Sequence, residues 1–142
     1  MRWSGSRMIG MHTGSCLCGA VKFEVEGALP GPDGCHCTAC RKFSGHFFVS
    51  TDVPRSSLTI HGEENVSWFR SSERARRGFC STCGSSLFWD PIDRDWTGIA
   101  MGAFDQPTRT RLAVHVHTAE KGDYYDIADG VSQFQRVPPA PH

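Results

Sequence analysis

The sequence predicts an all-β domain carrying one or two short helical turns, and three observations lead there. Short apolar runs alternate with polar residues at period two; Gly, Pro, Ser and Asp separate nearly all of these runs; and no stretch sustains a helical period for three turns. The chain has 142 residues, the size of one domain of roughly 100–200 residues with a modest core. Residues 1–10 are expected to form a flexible extension, 11–136 a single domain and 137–142 a disordered tail.

Taken in order, the first ten residues fit no element, and Met8 or Met11 could be the true start, since "MHTGSCLCGA" leads directly into the first cysteine motif. In "AVKFEVEG" the residues Val21, Phe23 and Val25 alternate with Lys22, Glu24 and Glu26, which is a half-buried strand ended by Gly27. Further strand candidates are "HFFVST" at 46–51, "SLTIHG" at 57–62, "VSWFR" at 66–70, "SLFW" at 86–89, "TGIAMG" at 97–102 and "LAVHVHT" at 112–118. The helical turn is placed at "TACRKFSG", directly after Cys37. The tail "VPPAPH" cannot supply ladder donors and is expected to be extended or frayed.

Charge excludes several functions. Lys plus Arg and Asp plus Glu number 15 each, so no global field draws the chain to nucleic acid or an anionic membrane. No segment resembles a signal peptide or approaches the ~20 apolar residues of a membrane span. The expectation is a soluble, cytoplasmic protein with neither nucleic acid nor membrane as partner.

Seven cysteines, an odd number, cluster at metal-ligand spacing. Cys16-Leu17-Cys18-Gly19 and Cys80-Ser81-Thr82-Cys83-Gly84 each set two thiols on a tight turn followed by glycine, where backbone N–H groups can approach the sulfurs. Cys16, Cys18, Cys80 and Cys83 are therefore expected to close one structural zinc site whose binding free energy becomes folding free energy. Cys35, Cys37 and Cys40 remain: a tripod with an open fourth corner, the arrangement of a catalytic rather than a structural zinc. His36 or His46 could instead complete a Cys3His site, or the loop could hold oxidisable thiols without metal. His36, flanked by two ligands, is expected to point away from an ion that they share. A thiolate-rich site with a vacancy favours a thiol as its guest. With two zincs on seven thiolates the net charge falls to about minus three, which further disfavours a polyanion.

These residues resemble the glutathione-dependent formaldehyde-activating enzyme family, also called the centromere protein V/Gfa-like family. The resemblance lies in "GSCLCGAVKFEV" at 14–25, "CHCTACRKFSG" at 35–45, "RGFCSTCGSSLFW" at 77–89 and "KGDYYDIADGVSQF" at 121–134, which together span nearly the whole chain. Tyr124-Tyr125 stands where many members carry tryptophan, and "DGVSQF" replaces the commoner "DGLPQF". The resemblance implies an Mss4-like zinc fold with two zinc sites; the three-cysteine site, one ligand short, is expected to be the more labile of the two. It also implies carbon–sulfur lyase activity, with glutathione as co-substrate and small-molecule thiols and aldehydes as partners. Adding a thiolate to an aldehyde needs positioning and a proton for the emerging alkoxide. Candidate substrate-binding residues are Arg41 and Lys42, which adjoin the tripod and could pair carboxylates, and His115 on "LAVHVHT", where His115 and His117 are expected on one strand face and Leu112, Val114 and Val116 on the other. Arg74, Arg76 and Arg77 are further cations before the second knuckle, and Phe43, Phe47, Phe48, Phe79, Phe88 and Trp89 are assigned to the core.

Overall fold

A computed structural model describes residues 10–138; the expected extension at 1–9 and the end of the tail at 139–142 lie outside the described residues. The strands are β1 (Met11–Ser15), β2 (Lys22–Glu26), β3 (Asp33–Cys35), β4 (Phe48–Pro54), β5 (Leu58–His61), β6 (Val66–Arg70), β7 (Ala75–Cys80), β8 (Ser86–Pro91), β9 (Trp96–Ala100), β10 (Val114–Val116) and β11 (Ser132–Gln133). One α-helix, α1, runs over Thr38–Ser44. The fold is all-β with a few short 3₁₀ turns, as the alternating runs require. None of these helices is long and apolar enough to cross a membrane.

Two sheets form. The smaller has the order β1-β2-β5, and the larger β11-β10-β3-β4-β9-β8-β7-β6. Pairing is antiparallel except that β10 runs parallel to both β3 and β11. The period-two reading of β2 holds in detail: Phe23 and Val25 are buried while Lys22 and Glu26 are exposed. Phe23 and Val25 enter one core with Val53 of β4, Leu87 and Phe88 of β8, and Ile99 of β9, so the small sheet packs on one face of the large one. Each large side chain buried there contributes about 1.5–3 kcal/mol. Phe23 meets Phe104 edge-on at 5.1 Å and Phe88 at 6.0 Å. Gly14 permits this packing, because a Cβ there would lie 2.4 Å from both the Phe23 ring and the Ala103 carbonyl oxygen.

The opposite face of the large sheet carries α1 and, around Phe48 and Ala100, a second small cluster that includes Cys40. The helix begins because the Cys37 sulfur caps it, accepting the Cys40 amide at 3.3 Å. It ends at Gly45, whose φ of 89° returns its N–H to the Arg41 carbonyl.

Several boundaries differ from the sequence reading. The strand expected from residue 46 begins at Phe48, because Ser44 Oγ donates to the carbonyls of both Cys40 and His46 and holds the chain in a turn. The strand expected to reach residue 102 stops at Ala100 and passes into a 3₁₀ turn, Met101–Ala103. In "LAVHVHT" only Val114–Val116 is a strand. His117 adopts a left-handed conformation with φ 56°, which breaks the alternation and sends His115 and His117 to different surroundings.

Candidate functional site

The two knuckles meet as their spacing requires. Cys16, Cys18, Cys80 and Cys83 bring their sulfurs within 4.8 Å of one another. The Cys16–Cys18 and Cys18–Cys80 separations are 3.7 and 3.8 Å. A tetrahedron with metal–sulfur bonds of about 2.3 Å has an edge of about 3.8 Å, so the donors match zinc and are much too far apart for disulfides. Backbone amides point at the sulfurs: Val21 N–H to Cys16 at 3.3 Å, and Thr82 and Cys83 N–H to Cys80 at 3.3 and 3.5 Å. Gly19 and Gly84 take φ of 85° and 79°, which explains the glycine after each pair. The hydroxyl of Ser85, followed by nearby amides, lowers the Cys83 thiol to about 5.

The second cluster lies where β3 passes into α1. Cys35 ends β3, Cys37 caps the helix and Cys40 sits in its first turn, placing three sulfurs within 4.8 Å of one another. Proximity decides their protonation. Hydrogen bonds from Cys35 and then Cys40 hold the Cys37 thiol far below the ordinary range, while the same contacts push Cys35 far above it. Three sulfurs gathered this closely are a donor set that a divalent ion can hold in place of their protons. Arg77, which is only 5% exposed, donates from Nη1 to Cys40 Sγ at 3.4 Å and from Nε to Ser71 Oγ at 3.1 Å.

Neither histidine adjoining the tripod joins the sulfur cluster. His36 is fully buried and its ring turns away into a chain of hydrogen bonds. Tyr125 Oη lies 2.5 Å from His36 Nδ1, His36 Nε2 lies 2.8 Å from His115 Nδ1, and His115 Nε2 lies 2.8 Å from Asp129 Oδ2. The Asp129 carboxylate accepts from His115 Nε2–H, which fixes the direction: His36 Nε2–H donates to His115, and the Tyr125 hydroxyl donates to His36. Burial, and next the neighbouring His115, lower His36 to about 4. His46 is tied to the Tyr124 hydroxyl at 3.0 Å.

A cavity of about 290 Å³ opens beside the tripod. Cys35, Cys37, Cys40 and Arg77 border it at one end, with Phe48, Trp89 and Trp96 along it and Asp33, Asp52, His117 and Val137 completing the wall. These side chains share a face because Phe48, Ser50 and Asp52 alternate along β4 opposite Cys35 and Asp33 of β3. Asp52 is open to solvent through the mouth of the cleft, yet desolvation by the concave wall and then the Asp33 charge raise it to about 7.

The sequence-derived candidates divide around this cavity. The three tripod cysteines border it. His115 does not; it is 1% exposed and held between His36 and Asp129. Lys42 faces a separate groove with Phe43, Phe69 and Arg77, and Arg41 lies in the last turn of α1 with its Nε buried and unpartnered among the described residues. Of the arginines before the second knuckle, Arg76 turns outward over Trp68 to Asp90 while Arg77 turns inward. Phe48 and Trp89, assigned to the core, also line the cavity. Asp33, Asp52 and Trp96 were not expected there, whereas His117, expected to share a strand face with His115, lines the cavity without it. Period-two counting from Phe48 along β4 could have found Asp52, but β3 is too short to show a period.

Comparison with known proteins places the chain in a family. The family model described as "Glutathione-dependent formaldehyde-activating enzyme" matches residues 11–120. A Halomonas elongata protein named "Putative glutathione-dependent formaldehyde-activating enzyme" is 32% identical over 80% of this chain and 79% of its own length. An "Uncharacterized lyase" of Schizosaccharomyces pombe is 27% identical over 87% of this chain and 90% of its own. A crystal structure of a Rhodobacter sphaeroides protein superposes with a TM-score of 0.58 at 25% identity, covering 71% of this chain and 99% of that one. With its cysteine clusters closed in space and the match running from β1 to beyond β10, the chain belongs to the glutathione-dependent formaldehyde-activating enzyme family.

Proposed function

We propose that the protein is a zinc-dependent carbon–sulfur lyase that makes or breaks thiol–aldehyde adducts in the cleft beside Cys35, Cys37 and Cys40. The observation that carries this reading is the contrast between the clusters. Four sulfurs meet at one, whereas at the other three sulfurs border a cavity and no fourth protein donor joins them among the described residues. The names of the Halomonas and Schizosaccharomyces relatives support the reading, and glutathione is the co-substrate that the Halomonas name suggests.

Cys16, Cys18, Cys80 and Cys83 would hold a structural zinc, and Cys35, Cys37 and Cys40 a second, more labile one. The second ion, when bound, supplies a Lewis-acidic position that favours the thiolate form of a guest thiol at neutral pH. The chain's own residues do the rest. Arg77 offsets the negative charge gathered at the sulfurs through its bond to Cys40. Phe48, Trp89 and Trp96 form an apolar wall that limits water around the reacting atoms. In the forward direction the thiol sulfur bonds to the aldehyde carbon and the carbonyl oxygen takes up the proton that the thiol gave. His117, on the cavity wall, is placed to carry that proton, a role for which the sequence had suggested His115. His115 instead positions His36, and through it the β3–α1 loop.

The test compares adduct formation from glutathione and formaldehyde with and without protein at matched free thiol, together with metal stoichiometry before and after mild chelation. Acceleration that disappears with the first metal released supports the proposal. No acceleration by fully metallated protein, with glutathione or with a smaller thiol, refutes catalysis.

A further inference from the structure

The cleft is electrically graded along its length. At the tripod end Arg77 is buried, with Nε and Nη1 engaged by Ser71 and Cys40 and Nη2 left without a bond among the described residues. At the far end stand Asp33 and Asp52. Asp33 precedes Cys35 by two residues on β3, and Asp52 follows Phe48, the partner of Cys35, by four on β4. At ~3.3 Å per residue the carboxylates lie roughly 7 and 13 Å along the sheet from the tripod, both in the same direction.

Among the described residues no Lys or Arg pairs with either carboxylate, and His117 is the group whose charge opposes that of Asp33. The ion pairs among the described residues lie elsewhere, at Asp90, Glu24, Asp129 and Glu120. His117 is the one imidazole beside them, and its Nδ1 is 4.0 Å from the Glu120 carboxylate. The wall is also aromatic: Phe48 stands opposite Cys35, Trp89 is level with Asp52 across Gly98, and Trp96, stacked on Trp89 at 5.8 Å, lies beyond Asp52 opposite Pro54. The Asp52 carboxylate lies close over Gly98 of β9, since a Cβ there would meet its Oδ1 at 3.2 Å. Two carboxylates on the same cleft wall as a pair of indoles are suited to receive an ammonium.

Resting on the tripod as the thiol site, we propose that the guest is a thiol bearing a cationic amine at its far end, its sulfur at the cysteines beside Arg77 and its ammonium at Asp33 and Asp52. A carboxylate at that end meets like charge and finds no Lys or Arg there among the described residues. Glutathione fits with its single ammonium and is opposed by its two carboxylates, so simple ω-aminothiols are the better-matched class.

The test uses full-length protein loaded with cobalt(II), whose thiolate charge-transfer bands report each new sulfur ligand. Cysteamine and its longer ω-amino homologues are titrated against 3-mercaptopropionate and its longer homologues, at low and high salt. The expected result is tighter binding of the amines by about tenfold or more at the best-matched length, shrinking with salt. In Asp33→Asn, Asp52→Asn and the double variant the preference collapses, while cobalt uptake by the four-cysteine cluster confirms the fold. Equal affinities, or a preference for carboxylates, overturn the amine proposal and leave the thiol site intact. If no thiol perturbs the cobalt spectrum, the open tripod reading fails and this proposal with it.

Discussion

Replacing Arg77 by glutamine tests the link between sheet and tripod most directly. The guanidinium is 5% exposed, sits 3.4 Å from Cys40 Sγ and lies over the Phe43 ring at 5.4 Å. Glutamine keeps a polar end but loses the charge and the reach. A hydrogen bond to a charged group contributes about 1.5–3 kcal/mol, so the affinity of the three-cysteine site for metal should fall about 10- to 100-fold. The four-cysteine site, which Arg77 does not touch, should be unaffected. The assay is stepwise metal release to a chromophoric chelator: in the variant the first equivalent should leave at correspondingly lower chelator concentration and the second as before. Arg77→Lys should lie between, since lysine restores charge without the planar fork. Two equivalents released with unchanged affinities would refute the reasoning, and equal weakening of both would show that Arg77 acts through global stability.

Cys80→Ser should remove one metal and lower the melting temperature severely, because the closed cluster contributes folding free energy of order 10 kcal/mol in small zinc modules, whereas Cys40→Ser should remove one metal with little change in melting. Gly14→Ala should cost several kcal/mol in urea unfolding, since its Cβ would overlap both Phe23 and the Ala103 carbonyl at 2.4 Å, and backbone cannot yield cheaply. His36 has a folded value of about 4 against an ordinary 6.5, so the unfolded chain binds the extra proton. Its stabilising contribution is complete above pH 6.5 and declines as pH falls toward 4, by about 3 kcal/mol at most; urea midpoints between pH 7 and 4 should fall less steeply in His36→Gln than in the parent chain.

Much of the site was legible because cysteine spacing is a local signal. The pairs around Leu17 and Thr82, each with its glycine, specified a four-sulfur cluster, and the remaining three thiols specified the tripod. The alternation in β2 and the run Val66–Arg70 specified strands. What escaped was set by tertiary context. Asp-Gly-Cys at β3 carries no apolar pattern and becomes a strand only because β4 and β10 flank it. Likewise, "ARRGFC" reads as charged surface, yet Arg77 is buried because the Cys40 sulfur and the Ser71 hydroxyl accept its protons. The histidines of "LAVHVHT" were assigned one face by period two, and a single left-handed residue, His117, separated them.

The bracing of the β3–α1 loop also has a temporal side. His36 is 79 residues from His115 and 89 from Tyr125 in the chain, whereas the four-sulfur cluster is complete once Cys83 has been made. On a ribosome that delivers the N-terminus first, the scaffold ion can therefore be enclosed while the last third of the polypeptide is still being made. The reactive loop waits for Tyr125 and Asp129 to arrive before its imidazoles are anchored. Truncated or stalled products would then carry a folded zinc scaffold with an unbraced tripod.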